Sequence, residues 1–127
     1  MAGSVLDGDY WETKEERKLA QKMWTGYLTP RRKAVREAED KILVLEMHCV
    51  DPAFRRQGIG HILVRNGLEM ADKMGLKTFV EATPEGRALY EQEGFEVEIE
   101  QYTVQLGEEF SGRPTQSFTW MVHTAKK

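Results

Sequence analysis

The eleven residues Val50-Asp51-Pro52-Ala53-Phe54-Arg55-Arg56-Gln57-Gly58-Ile59-Gly60 constrain the fold of this 127-residue chain more than any other segment. Before them, Ile42 to Val50 reads as a strand, with Leu43, Leu45, Met47 and Cys49 apolar at every second position. After them, Gly58 to Met74 reads as a long helix and Thr78 to Ala82 as another strand. A strand passing through a glycine-bearing turn into a helix and on to a second strand is a layered β-α-β unit. The remainder extends it: Pro84 to Glu93 is a short helix, Phe95 to Val104 a strand, and Gln116 to His123 a last strand behind a loop with Gly and Pro. The order β-α-β-α-β-β predicts an α+β fold with α/β-like layers, helices lying on a sheet.

The first 41 residues read differently. Asp7 or Asp9 is placed to cap a helix running to about Leu28, in which Leu19, Ala20, Met23, Trp24, Tyr27 and Leu28 form one apolar stripe. Thr29-Pro30 ends it and starts a second helix to about Lys41, since Pro suits a first helical position. The apolar residues of that second helix are Ala34, Val35 and Ala38, which predicts a surface helix or one lying against a partner. The chain therefore divides into a helical leader, residues 1–41, and a mixed region, residues 42–127.

Composition excludes several classes. Eighteen Lys and Arg against 21 Asp and Glu leave a net charge of −3, without the basic stripe of a nucleic-acid binder. The longest uninterrupted aliphatic run, Ile42 to Leu45, is far short of the roughly 20 residues of a membrane span, and no signal segment opens the chain. A cytoplasmic protein is expected, with a nuclear location also compatible with these features. The one cysteine, Cys49, has no intrachain partner, and its parity with Leu43 and Leu45 predicts a core thiol rather than an acyl-carrying nucleophile. His48, His61 and His123 have no metal-ligand spacing. Acidity collects at the C-terminal end, where Glu96, Glu98 and Glu100 alternate with Val97 and Ile99; this is either a solvated strand face or an approach surface for a cation.

At the junction, glycines at 58 and 60 admit backbone conformations and close approaches closed to other residues, and the helix that follows aims the positive end of its dipole at the turn. Arg55 and Arg56 add donors for an anion. The sequence is neither a P-loop nor a dinucleotide fingerprint, because no Gly-Lys-Ser/Thr follows and residue 63 is Leu. R-x-x-G-x-G alone fits a plain turn as well as a phosphate loop.

Three ordered segments decide between them. Arg55, Gly58 and Gly60 match Q/R-x-x-G-x-G/A, Phe79-Val80-Glu81-Ala82-Thr83 matches a following strand, and Gly86-Arg87-Ala88-Leu89-Tyr90-Glu91-Gln92-Glu93-Gly94-Phe95 matches G-x-x-L-Y-x-x-x-G-F. Together they resemble the GNAT superfamily of acyl-CoA-dependent N-acetyltransferases over residues 42 to about 100. The likeness is greatest to the version common in fungi, V-x-P-x-Y-Q-R-R-G-I-G with L-E-A-S. This chain departs from it in having Phe54, Arg55, Arg56 and Gln57 for Tyr, Gln, Arg and Arg, and Thr83 for Ser.

The resemblance implies a mixed sheet whose first two strands here splay apart, with acetyl-CoA as co-substrate. Its pantetheine arm would pair with backbone at Cys49 and Val50, its pyrophosphate would sit on Arg55, Arg56, Gln57, Gly58, Ile59 and Gly60, and Thr83 at the end of the next strand would also contact the cofactor. An amine, small or part of a peptide, would attack the thioester directly. Tyr90 matches the family's general acid, and the plain alternative is a packed helix Tyr. Glu46 corresponds to a strand Glu that acts as base in some members; His48, expected on the same face as Glu46, has a pKa range suited to the same job, and water is the third option. The family's usual strands before the first one read here have no counterpart in residues 1–41. The chain thus resembles the C-terminal, cofactor-binding half of the domain, with an open sheet edge for dimerisation or strand exchange. A non-catalytic acyl-CoA-binding or protein-interaction module is the alternative reading.

Overall fold

The computed structural model describes residue 6, residue 8 and residues 11–46 and 48–126. Four helices and four strands follow in order: α1 Lys14–Tyr27, α2 Thr29–Glu37, β1 Ile42–Leu45, α3 Ile59–Met74, β2 Lys77–Ala82, α4 Pro84–Gln92, β3 Glu96–Thr103 and β4 Ser117–His123. Short 3₁₀ turns at Pro52–Phe54 and Glu108–Phe110 interrupt two of the connections. Thr13 caps α1, its hydroxyl accepting from the Glu16 N–H at 3.0 Å. The alternative caps Asp7 and Asp9 lie outside the described residues.

The sheet order is β1-β2-β4-β3. β1 and β2 are parallel because α3 carries the chain back between them, whereas β2–β4 and β4–β3 are antiparallel. β4, the last strand in sequence, occupies the middle of the sheet, and Phe118, Thr119, Trp120 and Met121 are buried in succession along it. A strand covered on both faces loses its apolar/polar alternation. On one face, Met121 and Val80 meet Val64 and Leu68 of α3, Tyr90 of α4, and Phe95. On the other, Trp120, Phe118 and Phe79 meet Ala34 of α2, with Tyr27 of α1 packed against them. Burying Trp120 and Met121 alone contributes roughly 2 to 3 kcal/mol each.

Two expectations change here. α2 is not a bare surface helix: Pro30, Arg31 and Ala34 are buried, and Ala34 is small enough for the helix to lie close on the sheet. Nor do Glu96, Glu98 and Glu100 share one face. Val97 pairs with Met121 but Ile99 pairs with Trp120, a one-residue slip that sends Val97 to the α3/α4 face and Ile99 to the α2 face. Glu100 accordingly turns to Arg87 of α4, while Glu98 lines a groove with Lys33 and Lys77. Among the described residues, no helix is long and apolar enough to cross a membrane.

Candidate active site

The site begins where two parallel strands part. β1 and β2 run in register from Ile42 opposite Lys77 to Leu45 opposite Val80. There β1 ends, while β2 continues through Glu81 and Ala82, held by β4 on its far side. Beyond Leu45 the chain no longer pairs with β2, leaving an unpaired space, the wedge, at the C-terminal ends of the two strands. β1 is thus shorter than the expected strand to Val50, and its alternation stops with it. Glu46 and His48 do not share a face: Glu46 reaches Arg31 of α2 on one side, and His48 reaches Tyr90 of α4 on the other. Met47, expected to face the core, lies outside the described residues. Cys49 is exposed rather than a core thiol, because there is no strand at that position to carry its side chain inward.

Beyond Cys49 the chain turns twice before α3. Asp51 caps the Pro52–Phe54 turn by accepting from the Ala53 N–H at 2.8 Å, and the Arg55 Nε donates to the Val50 carbonyl at 3.2 Å. Arg56 and Gly58 both take positive φ, +62° and +77°. At Arg56 this is a strained choice for a side chain with a Cβ. Gly58 is the N-cap of α3 and has no side chain to satisfy the helix, so the first N–H groups of Ile59, Gly60 and His61 lack intrahelical acceptors and face outward. Asp51 through Gly58 are exposed around them. These donors and the helix dipole favour an anion at the start of α3, and Arg55 and Arg56 are exposed in the turn before it. Gly60 has a second reason to be glycine: a Cβ there would stand 2.9 Å from Leu89 Cδ1 and 3.6 Å from the His48 ring.

On the α4 side of the wedge, Tyr90 is 6% exposed and packs edge-on against Phe95. Its hydroxyl lies 3.2 Å from His48 Nδ1. Burial raises the Tyr90 phenol above its ordinary pKa. Thr83 caps α4, accepting from the Gly86 N–H at 3.2 Å, and so fixes the helix that carries Tyr90.

On the α2 side stands an ion cluster that sequence reasoning missed. Arg31 holds Glu81 in a fork, Nε to Oε2 at 2.9 Å and Nη2 to Oε1 at 2.8 Å, and its Nη1 donates to Glu46 at 3.2 Å. Burial opposes the Arg31 charge, but the hydrogen bonds and charge of Glu81, then of Glu46, outweigh it and raise its pKa. Burial, and after it the charge of Glu81, push the Tyr27 phenol up to about 12. A signal was present: Glu81 interrupts the apolar run Phe79-Val80-Glu81-Ala82, and a carboxylate on a buried strand requires a cation. Two carboxylates against one guanidinium leave this side of the wedge negative. It adjoins a groove of about 590 Å³ lined by Ala20, Met23, Trp24, Tyr27 and Glu46 among others.

A family model for the acetyltransferase (GNAT) domain matches residues 10–97, from just ahead of α1 into the start of β3. The chain belongs to the GNAT family. The GNAT match thus takes in both helices that precede β1, as well as the junction, α3, β2 and α4. No curated protein matches the chain. Among the described residues of this GNAT domain, no group of three or more His, Cys, Asp or Glu is placed to hold a metal ion.

Proposed function

We propose that this GNAT chain is an acyl-CoA-dependent N-acetyltransferase that moves an acetyl group from acetyl-CoA directly to an amine. The observation that carries the reading is the wedge between β1 and β2, with Tyr90 on one side of it, Glu46 on the other, and the uncapped start of α3 beside it. In this reading Arg55, Arg56, Gln57, Gly58, Ile59 and Gly60 bind the pyrophosphate, and backbone at Cys49 and Val50 pairs with the pantetheine arm. Thr83 supports α4. The motif likeness to fungal members supports placing the chain with that branch of the family.

The acceptor amine enters from the α1/α2 side, where the excess negative charge of Glu46 and Glu81 over Arg31 attracts its ammonium form. Once neutral, the amine nitrogen attacks the thioester carbon. The C–S bond breaks with its electrons on sulfur, and Tyr90 Oη gives that sulfur its proton. Glu46, 65% exposed at its side chain, takes the proton lost by the amine, directly or through water. For an ordinary phenol and thiol, with reference pKa values near 10 and 8.5, complete transfer is uphill by about 2 kcal/mol, and burial of Tyr90 adds to that cost; donation only as the thiolate departs keeps the step feasible. A small amine, a Lys side chain and an N-terminal amine all satisfy this chemistry.

β1 has pairing on one side alone among the described residues, and we take the four strands as the cofactor-binding part of the domain, its outer edge available to a second copy. Light scattering for mass tests that part. For the reaction, a thermal-shift titration with acetyl-CoA precedes a transfer assay on a panel of amines. The proposal expects stabilisation, transfer, and a loss of roughly 10²-fold or more in Tyr90→Phe. Absence of a thermal shift sinks the cofactor assignment, and binding without transfer to any amine favours a non-catalytic module instead.

A further inference from the structure

The proposed chemistry assigns no role to His48. It lies in the irregular segment just past β1, yet its ring is held closely. It sits against Gly60, with a tilt of 50° and 5.9 Å between its centre and that of Tyr90. Its Nδ1 is 3.2 Å from Tyr90 Oη, and its Nε2 is buried with no hydrogen-bond partner among the described residues. These two nitrogens decide where a neutral imidazole keeps its proton. On Nε2 the proton would make a buried orphan donor, a rare and costly state, whereas an unprotonated Nε2 is a buried acceptor left short, which native structures tolerate more often. The proton therefore belongs on Nδ1, and the contact is a donation from His48 to Tyr90.

We propose that His48 is the positioning residue of Tyr90: its Nδ1–H donates to Tyr90 Oη, which turns the phenolic O–H toward the departing sulfur and stabilises the phenolate left behind. The inference rests on Tyr90 acting as the acid. In the step itself the C–S electron pair goes to sulfur, the Tyr90 proton follows it, and the phenolate keeps the Nδ1–H bond until solvent returns a proton. The remaining surroundings of Tyr90 do not supply this help. The hydrophobic cluster that encloses Tyr90 takes Leu89 and Phe95 from α4 and the chain after it, Val64 and Leu68 from α3, Val80 and Ala82 from β2 and Met121 from β4, none of which can donate to its oxygen. Burial by these groups makes the phenol a weaker acid, and a donor aimed at its oxygen acts in the opposite direction. Gly60 serves the same contact, since its missing Cβ leaves the space the imidazole uses.

The test needs no bound co-substrate. Tyrosine labelled at ¹³Cζ is titrated by NMR in the ligand-free protein, with Tyr90→Phe assigning the resonance. Loss of a hydrogen bond to the charged form in His48→Leu is expected to raise the Tyr90 midpoint by about one to two pH units. His48→Asn, whose Nδ2–H stands where Nδ1–H stood, returns it to within a few tenths of a pH unit of the parent. In the transfer assay, His48→Leu lowers kcat about tenfold or more with little change in KM for acetyl-CoA, and His48→Asn recovers most of the loss. A Tyr90 midpoint unmoved in His48→Leu, or an Asn variant as impaired as the Leu one, overturns the inference even if the parent protein is active. A shifted midpoint in a protein that transfers acetyl to no amine overturns the transferase reading and this catalytic role with it, while leaving the hydrogen bond in place.

Discussion

Arg31→Met removes the guanidinium that grips Glu81 at 2.8 and 2.9 Å and Glu46 at 3.2 Å. Before the change, the Arg31 and Glu81 side chains are 7% and 2% exposed, so water has little room to take over the abandoned carboxylate. Breaking a buried pair by removing one partner costs about 3 to 5 kcal/mol, a large share of the roughly 6 to 19 kcal/mol that 127 residues retain. With about 2.1 cal/mol/K of unfolding entropy per residue, a loss of about 4 kcal/mol lowers Tm by about 15 °C. Glu81→Gln should cost less, about 1 to 3 kcal/mol, because Arg31 keeps Glu46 and the face of Tyr27, 6.0 Å from its guanidinium carbon. Glu46→Gln touches a side chain that is 65% exposed and should cost about 1 kcal/mol or less. The Arg31→Met/Glu81→Gln double variant should be less damaged than the sum of the two single changes, since no buried charge is left unpaired. Urea unfolding followed by tryptophan fluorescence and far-UV circular dichroism measures all four variants. An Arg31→Met cost below about 1 kcal/mol at neutral pH, or strict additivity in the double variant, refutes the account of this cluster.

Glu93 clamps α3 to α4 by accepting from Arg65 at 2.9 Å and meeting His61 Nδ1 at 2.6 Å. The Arg65 hydrogen bonds foremost, then His61, hold its carboxyl below the ordinary value against the opposing effect of burial. That contribution is present above the unfolded carboxylate pKa and lost as pH falls through the lowered one; urea midpoints of parent and Glu93→Gln should therefore converge in acid and separate at neutral pH. Cys49 should react with one equivalent of Ellman's reagent in the folded protein, and a thiol that reacts only in denaturant contradicts its exposed position. Gly58→Ala meets no atom within 4 Å, so its cost is that of the +77° φ alone, about 1 to 2 kcal/mol by thermal melting. A melt unchanged from the parent would refute the left-handed cap.

What the sequence discloses depends on whether a feature leaves its mark in local residue type. The junction does, because an uncapped helix start with φ of +77° requires glycine, and Gly58 could be read as such before any fold was known. The helix and strand order also does, through apolar period and caps such as Thr83. Pairing does not. The alternation Leu43, Leu45, Met47, Cys49 runs on past Leu45, but a strand needs a neighbour, and β1 leaves β2 after Val80. The run Glu96-Val97-Glu98-Ile99-Glu100 is regular in sequence although the slip against Met121 and Trp120 breaks it in space. Arg31 and Glu81 lie 50 positions apart, and nothing local to either identifies the other. The early end of β1 has the largest consequence for function. Had the strand continued in period two, Glu46 and His48 would have pointed the same way and competed for one role. Because it stops at Leu45, Glu46 goes to the α2 side with Arg31 and His48 to the α4 side with Tyr90. In the proposed mechanism the group that receives the amine's proton and the group that supplies the sulfur's work from different sides of the thioester, and the broken alternation is what puts Glu46 and Tyr90's partner His48 on different sides.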